Sequence, residues 1–380
     1  MQRKYRLGGI TMADKQIQEA GDNSQLLQVN NMTVNFTNND EKRMHEIYQE
    51  LLLLIINNYA GEAQIKLNER ITRFETAFIP KMKEVEGVLE AFADPSFQLL
   101  LVEAQKTAAS TERPADYELL SELLIHRFKN GENRITRAGI SRAVEIVDEI
   151  SDDALLGLTV CHAMSSFFPK SGNIYQGLNS LNDLFGKIIY GKLPTNNDWL
   201  DHLDILDAVR INSFGSLKKV QQYYPEMLTG YVDVGIEKKS ENYNRAIELL
   251  KSAGLPQNIL VNHALNIDFV RLEVLSEEQI NSLTLQTIVF QYGQAFPITI
   301  PFSDIQTNVI KSIYGLYKKD DNIKQQNIKV FMDEWDNRPN LKTLREWWDN
   351  IPTSFQTTSV GRVLAHSNAQ RCDKSLPPLN

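Results

Sequence analysis

The sequence has little cysteine: only Cys161 and Cys372 in 380 residues. Two cysteines cannot form the disulfide framework that stabilises small secreted domains, so the composition favours a reducing compartment and predicts a cytoplasmic protein. Long apolar runs are also missing. The longest, from Leu51 to Ile56, is far shorter than the roughly 20 residues that a membrane-spanning helix needs. We therefore expect no membrane partner.

The common catalytic and nucleotide-binding motifs are missing as well. The chain contains no GxxxxGK[ST] phosphate loop, no HExxH and no pair of CxxC motifs. The net charge is −8, which disfavours nucleic acid and anionic lipid as partners, because both need a basic surface. No cofactor is predicted.

What the sequence does contain is typical of a globular protein, with 42% hydrophobic and 23% charged residues. Apolar residues recur at spacings of three and four over most of its length, which predicts helices. The expected fold is mainly α, with a short β-rich N-terminal oligomerisation segment, a long helix and a multi-helix body. The predicted division is an extension (1–11), a β-rich segment (12–39), a long helix (40–80), a body (81–275), a C-terminal helical region (276–372) and a tail (373–380).

The N-terminal segment alternates apolar and polar residues with a period of two. Met32 to Thr37 shows the pattern clearly, and Leu27-Gln28-Val29 repeats it on a smaller scale, as expected of strands with one buried face. The stretch Gly21-Asp22-Asn23-Ser24 carries residues that tolerate tight turns. Met12 looks like a natural start, so residues 1–11 are interpreted as an upstream extension.

These strands offer too few apolar side chains to be stable as an isolated hairpin. Either they pair with strands of other copies, or they lie on the helical body as an edge. The first is favoured because ten of the twenty-four residues from Gln16 to Asn39 are Asn or Gln, which can form ladders between stacked strands. The predicted oligomerisation residues are the apolar ones: Leu27, Val29, Met32, Val34 and Phe36.

A long apolar stripe follows the strands. It runs from Tyr48 to Phe78 and includes Leu67, Ile71 and Phe74. A single helix from Glu41 to Ile79 would be about 58 Å long at about 1.5 Å per residue, long enough for a stalk. The alternative is two shorter helices broken at Asn57-Asn58.

One group of side chains has the spacing of a metal site. Asp198, Asp201 and His202 fall at i, i+3 and i+4, on one helical face. The alternative is a solvated surface, because Leu200 and Leu203 supply a separate apolar face. The pairs His126-Arg127 and Cys161-His162, and the tryptophans Trp335, Trp347 and Trp348, are interpreted as structural.

Three stretches resemble an uncharacterised bacterial protein family known only by its Legionella and Veillonella locus tags. They are Lys15-Gln16 with Ala20 to Ser24, then Asp94-Pro95-Ser96-Phe97 with Glu103-Ala104-Gln105, Glu118 to Leu124 and Arg127, and finally Phe355 to Gly361 with Ala365 and Asn368. The resemblance implies a native start at Met12 and brings no activity and no catalytic residue. Its scattered bacterial distribution would fit an accessory role such as antiviral defence.

Two functions are therefore expected from the sequence. The favoured one is a non-enzymatic, homo-oligomeric scaffold or sensor that binds an unidentified protein partner, with no catalytic residue. The alternative is a metal-dependent hydrolase or nuclease that uses Asp198, Asp201 and His202.

Overall fold

The chain is mainly helical, as predicted. The computed structural model describes residues 25–29, 32–36, 38–56, 61–129, 133–291 and 294–379. These residues contain sixteen α-helices and nine strands. None of the helices in these ranges is both long enough and apolar enough to cross a membrane.

The two predicted N-terminal strands are present and pair with each other. Strand β1 (Gln25–Val29) and strand β2 (Met32–Phe36) form an antiparallel pair in which Leu27 lies opposite Val34. The predicted turn Gly21 to Ser24 and the extension 1–11 lie outside the described residues. Pairing between copies of the chain stays a prediction.

The single long helix is wrong, and the two-helix alternative is correct. Helix α1 (Asn38–Ile56) and helix α2 (Gly61–Lys83) pack against each other. At their contact the Tyr48 hydroxyl lies 3.5 Å from the Ile71 carbonyl oxygen. In one continuous helix these residues would be about 35 Å apart. The chain therefore folds back, and the proposed break at Asn57-Asn58 itself lies outside the described residues.

The apolar stripe of α2 forms a buried seam, as its spacing predicts. Leu67, Ile71, Phe74 and Phe78 are all buried, and the rings of Phe74 and Phe78 stack with centroids 5.5 Å apart. Pro80 lies inside α2, which continues to Lys83. The seam packs on helices of the body instead of facing solvent as a stalk would.

The first half of the body is a succession of seven helices: α3 (Val88–Ala93), α4 (Pro95–Ser110), α5 (Pro114–Lys129), α6 (Arg134–Glu145), α7 (Asp152–Ser166), α8 (Ile174–Ile188) and α9 (Asp198–Ile205). Short polar side chains cap the N-termini of four of them, α4, α6, α7 and α8. Asp94, Asn133, Ser151 and Asn173 each accept a hydrogen bond from a backbone N–H in the first turn of the helix that follows.

The second half mixes helices with short antiparallel strands. In chain order the elements are β3 (Val209–Asn212), α10 (Val220–Met227), α11 (Thr229–Val232), β4 (Ile236–Glu237), α12 (Glu241–Ser252), β5 (Leu260–Asn262), β6 (Phe269–Leu272), β7 (Thr284–Gln291), β8 (Gln294–Pro301), α13 (Asp304–Tyr314), α14 (Asp321–Asp336), α15 (Pro339–Trp348), β9 (Ser354–Thr357) and α16 (Ser359–Cys372). Strand β3 pairs with β9, β7 pairs with β8, and β6 lies between β4 and β5.

The main core surrounds α7, on which eleven consecutive residues from Ala154 to Met164 are buried. Helix α16 packs against α5, α6 and α7, although it is the last helix of the chain. Cys161 is buried, as its helical position predicts. A smaller apolar cluster lies between α12, α13 and the β4–β6–β5 sheet. The β3–β9 pair and α16 thus join the predicted C-terminal region to the predicted body.

The core residue Tyr224 has a buried hydroxyl group that lacks a hydrogen-bond partner among the described residues. Tyr224 is fully buried. Burying a hydroxyl without a partner costs about 1–3 kcal/mol. We therefore expect Tyr224→Phe to leave the free energy of unfolding unchanged or to raise it, which urea denaturation will measure.

Tyr231 is the matched control. It is also fully buried, but its hydroxyl donates to the Ser171 carbonyl oxygen over 2.6 Å. Tyr231→Phe should lower the free energy of unfolding by about 0.5–1.5 kcal/mol. An equal loss in both variants would mean that the Tyr224 hydroxyl has a partner in solution.

Candidate functional site

The candidate metal residues lie on the exposed face of α9, as their spacing predicts. Asp198 and Asp201 are exposed and His202 is half-buried, while Leu200 and Leu203 on the opposite side are fully buried. The face continues to Ile205, whose exposed fraction is 77%.

His202 and Asp198 form hydrogen bonds with neighbouring groups, and the three residues do not converge on a common point. Nε2 of His202 lies 3.2 Å from both the Ser151 backbone nitrogen and the Glu149 carbonyl oxygen, at the start of α7. Asp198 accepts a hydrogen bond from the Asn196 side-chain amide over 2.6 Å. Within the part of the chain that the structure describes, no group of three or more His, Cys, Asp or Glu residues is arranged to hold a metal ion.

Two adjoining recesses flank α9, and we refer to them together as the α9 cleft. The first, the apolar pocket, has a volume of about 410 Å³ and is lined mainly by Leu193, Pro194, Trp199, Trp347, Ile351 and Pro352. The second, the acidic recess, has a volume of about 530 Å³ and is lined by Ser151, Asp153, Asp198, Asp201, His202 and Ile205. Asn196 and Trp199 line both recesses and separate them.

The wall of the apolar pocket is fixed by close packing. The Trp347 indole N–H donates to the Pro194 carbonyl oxygen over 2.7 Å, and the rings of Trp347 and Trp199 lie 5.8 Å apart. Trp199 can approach α7 this closely because residue 157 is glycine, where a Cβ atom would lie 2.7 Å from the indole ring. The pocket is thus held in shape by buried contacts, as ligand sites usually are.

The charge of the cleft is predominantly negative. Asp153, Asp198, Asp201 and Glu346 line the two recesses, and none of them is within ion-pair distance of a described lysine, arginine or histidine. Lys192 is the one lysine or arginine among the lining residues. The cleft therefore combines an apolar surface with neighbouring carboxylates that form no ion pair with a described residue.

A second cluster of chemical groups lies in the core, where three histidines meet. Nε2 of His162 on α7 lies 3.1 Å from Nδ1 of His366 on α16, and the His126 ring of α5 lies 5.5 Å from that of His366. Because Nε2 of His366 donates to the Pro377 carbonyl oxygen over 2.9 Å, its Nδ1 must accept from His162. The Pro377 carbonyl thus fixes the tautomer of His366, and His366 fixes that of His162.

The hydrogen bonds of the other ring nitrogens complete this cluster. Ser367 donates to Nδ1 of His126, and Nε2 of His126 donates to the Gln370 side-chain carbonyl over 2.6 Å. Ser166 lies 3.3 Å from Nδ1 of His162. Burial lowers the pKa of all three histidines, and for His162 the nearby His366 and Arg362 add to the effect. The cluster is therefore neutral at pH 7 and joins α5, α7, α16 and the C-terminal tail.

Part of each group was predictable from the sequence. The spacing of Asp198, Asp201 and His202 predicts one helical face, and His126, His162 and the three tryptophans are predicted to be structural. Trp335 and Trp348 are core residues, whereas Trp347 also lines the apolar pocket. Trp199 and His366 were missed, because their partners are distant in sequence and no local spacing marks them.

The predicted oligomerisation residues lie on the hairpin. Leu27 and Val29 are on β1, and Met32, Val34 and Phe36 are on β2. The antiparallel register places Val29 opposite Met32 and Leu27 opposite Val34. Their role in assembly stays a prediction.

The stretches that carry the family resemblance make structural contacts. Asp94 caps α4 and accepts from the Ser96 hydroxyl over 2.6 Å, while Arg127 donates to the same hydroxyl oxygen over 2.8 Å. Asn368 donates to Thr159 across the core over 2.8 Å. These residues hold helices together, so they identify a fold and not an activity.

Comparison with known proteins agrees with that resemblance. A protein-family model matches residues 40–376. No curated protein and no solved structure matches the chain. The matched model is that of an uncharacterised family named after a Veillonella locus tag, and the chain belongs to this family.

Proposed function

We propose that this protein is a non-enzymatic, homo-oligomeric scaffold or sensor whose helical body binds a protein partner. The observation that carries the proposal is the N-terminal hairpin. Among the described strands, β1 and β2 pair only with each other, so each has one edge without a strand partner. Antiparallel pairing with a second copy would satisfy those edges.

The small size of the hairpin supports the same proposal. A two-stranded sheet of five residues a strand is marginal in water when it stands alone. Pairing between copies would combine the small apolar faces of Leu27, Val29, Met32, Val34 and Phe36. Such pairing would place the helical bodies around a shared β core.

The non-enzymatic part of the proposal rests on how the titratable side chains are used. The three histidines of the core cluster are engaged in structural hydrogen bonds. His126 bonds to Gln370, His162 bonds to His366, and His366 bonds to the Pro377 carbonyl oxygen of the C-terminal tail. A hydrolase or nuclease would need Asp198, Asp201 and His202 to converge on a metal, but Nε2 of His202 faces the backbone at the start of α7. A role in antiviral defence stays a prediction from the family resemblance.

The proposal is tested by removing residues 1–39 and measuring mass by light scattering coupled to size exclusion. We expect the full chain to have a multiple of its 43.4 kDa monomer mass and the truncated chain to be a monomer. Circular dichroism should show that the truncated chain keeps its helices, because the core lies in α1 and later elements. A truncated chain that keeps the full assembly mass would contradict the proposal.

A further inference from the structure

We propose that the α9 cleft binds a segment of the partner protein in which an apolar side chain stands next to lysine or arginine. The apolar side chain would occupy the apolar pocket, and the cation would lie in the acidic recess. This inference rests on the proposed function, since it specifies the chemistry of the partner that the body binds.

The apolar half of the proposal follows from the shape of the pocket. Its volume of about 410 Å³ is within the range of about 300–1,000 Å³ that is usual for ligand sites. Trp199 and Trp347 form its walls, and Pro194 and Pro352 line it without adding side-chain polar groups. The Trp347 indole N–H is already bonded to Pro194, so the surface offered to a ligand is mainly apolar.

The charged half follows from complementarity. Asp153, Asp198 and Asp201 project into the adjoining recess with no ion pair to a described residue. A lysine or arginine of a bound segment would supply the missing positive charge, whereas a carboxylate or a phosphate there would be repelled. The two recesses share Trp199, so one short segment can reach both.

A protein segment fits these observations better than a metal ion or a nucleic acid. A bare metal ion would leave the apolar pocket unused, and the carboxylates of the described residues are not arranged to hold one. A nucleic acid would bring phosphates to the carboxylates. Ile205, exposed at the end of α9, adds an apolar side chain to the lining of the acidic recess, as expected of a surface that contacts a polypeptide.

The test is selection of binding peptides by the full-length protein from a phage-displayed library of random dodecapeptides. We expect the recovered sequences to share an aromatic or leucine residue adjacent to lysine or arginine. A consensus that is acidic, or the absence of any consensus, would overturn the inference.

The best recovered peptide, labelled with fluorescein, is then titrated against three variants by fluorescence polarisation. Asp201→Arg reverses a charge in the acidic recess, and Thr343→Trp fills the apolar pocket from its exposed rim. Each should weaken binding at least tenfold. Glu248→Arg on α12 makes the same charge change at an exposed acid outside the cleft and should leave binding unchanged. Equal binding by all three variants would overturn the inference.

Mass measurement separates this inference from the proposed function. Asp201→Arg and Thr343→Trp lie far from the hairpin in sequence and should keep the assembly mass of the unaltered protein. If the unaltered protein forms the assembly but selects no peptide consensus, the cleft is rejected and the oligomeric scaffold still stands. Selective peptide binding by a monomeric protein would support the cleft and reject the scaffold.

Discussion

Acidification from pH 7 to pH 5 is expected to lower the free energy of unfolding by several kcal/mol. Four of the six histidines are buried in the described structure: His126, His162, His263 and His366. Burial lowers the pKa of each of them. For His263 the pKa falls to about 4, although the hydrogen bond to the Asp233 carbonyl oxygen opposes this shift. The unfolded chain has ordinary histidines with a pKa of about 6.5.

The sign follows from where the protons bind. Below about pH 6.5 the unfolded chain takes up protons that the folded chain excludes, so stability is fully present above that pH and falls as the pH decreases towards the folded pKa values. The folded pKa is about 3 for His162 and about 4 for His263 and His366, so each of these three lowers the free energy of unfolding by about 2 kcal/mol between pH 7 and pH 5. His126, whose pKa burial also lowers, adds to this loss. The sum is comparable to the total stability of an ordinary domain, about 5–15 kcal/mol.

Urea denaturation at pH 7, 6 and 5 measures this loss. His162→Gln should make the decrease shallower, because it removes one titrating group from the core. Ser166→Ala is the control: it removes a hydroxyl 3.3 Å from the same ring but leaves the ring in place. It should lower stability by a similar amount at every pH. A free energy of unfolding that is constant from pH 7 to pH 5 would show that these histidines are not buried in solution.

Replacement of a large side chain in the buried seam of α2 is also expected to lower the free energy of unfolding substantially. Phe74 is fully buried and its ring stacks on that of Phe78. Phe74→Ala removes a large apolar side chain and leaves a cavity, so the free energy of unfolding should fall by about 3–5 kcal/mol.

The control for the seam lies one turn away on the same helix. Glu69 is exposed and pairs with Arg73 at 2.5 Å, a contact that is screened by solvent. Glu69→Gln should change the free energy of unfolding by less than about 0.5 kcal/mol. Urea denaturation of both variants decides, and equal losses would mean that Phe74 is not part of a core.

Local features of the fold were predictable because they depend on neighbouring residues. The period-two pattern predicted the two strands that form β1 and β2. The spacing of three and four identified the buried face of α2. The cap at Ser303 begins α13, with the reciprocal bond from Gln306 that such a cap requires.

The continuous helix failed because a periodic stripe does not distinguish one helix from two. Both arrangements place Tyr48 and Ile71 on apolar faces, and the tertiary contact between them decides.

The part of the candidate site that lies on one helix was predictable from the sequence, and the parts that join distant helices were not. One helix carries Asp198, Asp201 and His202, so spacing was enough to group them. The apolar pocket joins Trp199 to Trp347, and the histidine cluster joins His126 to His366, across more than 100 residues of chain. Neither pairing leaves a local signal in a single sequence, because it depends on how α15 and α16 pack on the body.

The point variant Val34→Asp tests homo-oligomerisation through the hairpin most directly. Side chains alternate between the two faces of a strand, so Val34→Asp places a charge on the face of β2 that carries Met32 and Phe36. Thr33→Asp places the same charge on the opposite face of β2. Light scattering coupled to size exclusion should give a multiple of 43.4 kDa for the unaltered chain and for Thr33→Asp, and a monomer for Val34→Asp. An unchanged mass in Val34→Asp, or a monomeric unaltered chain, would contradict assembly through these strands.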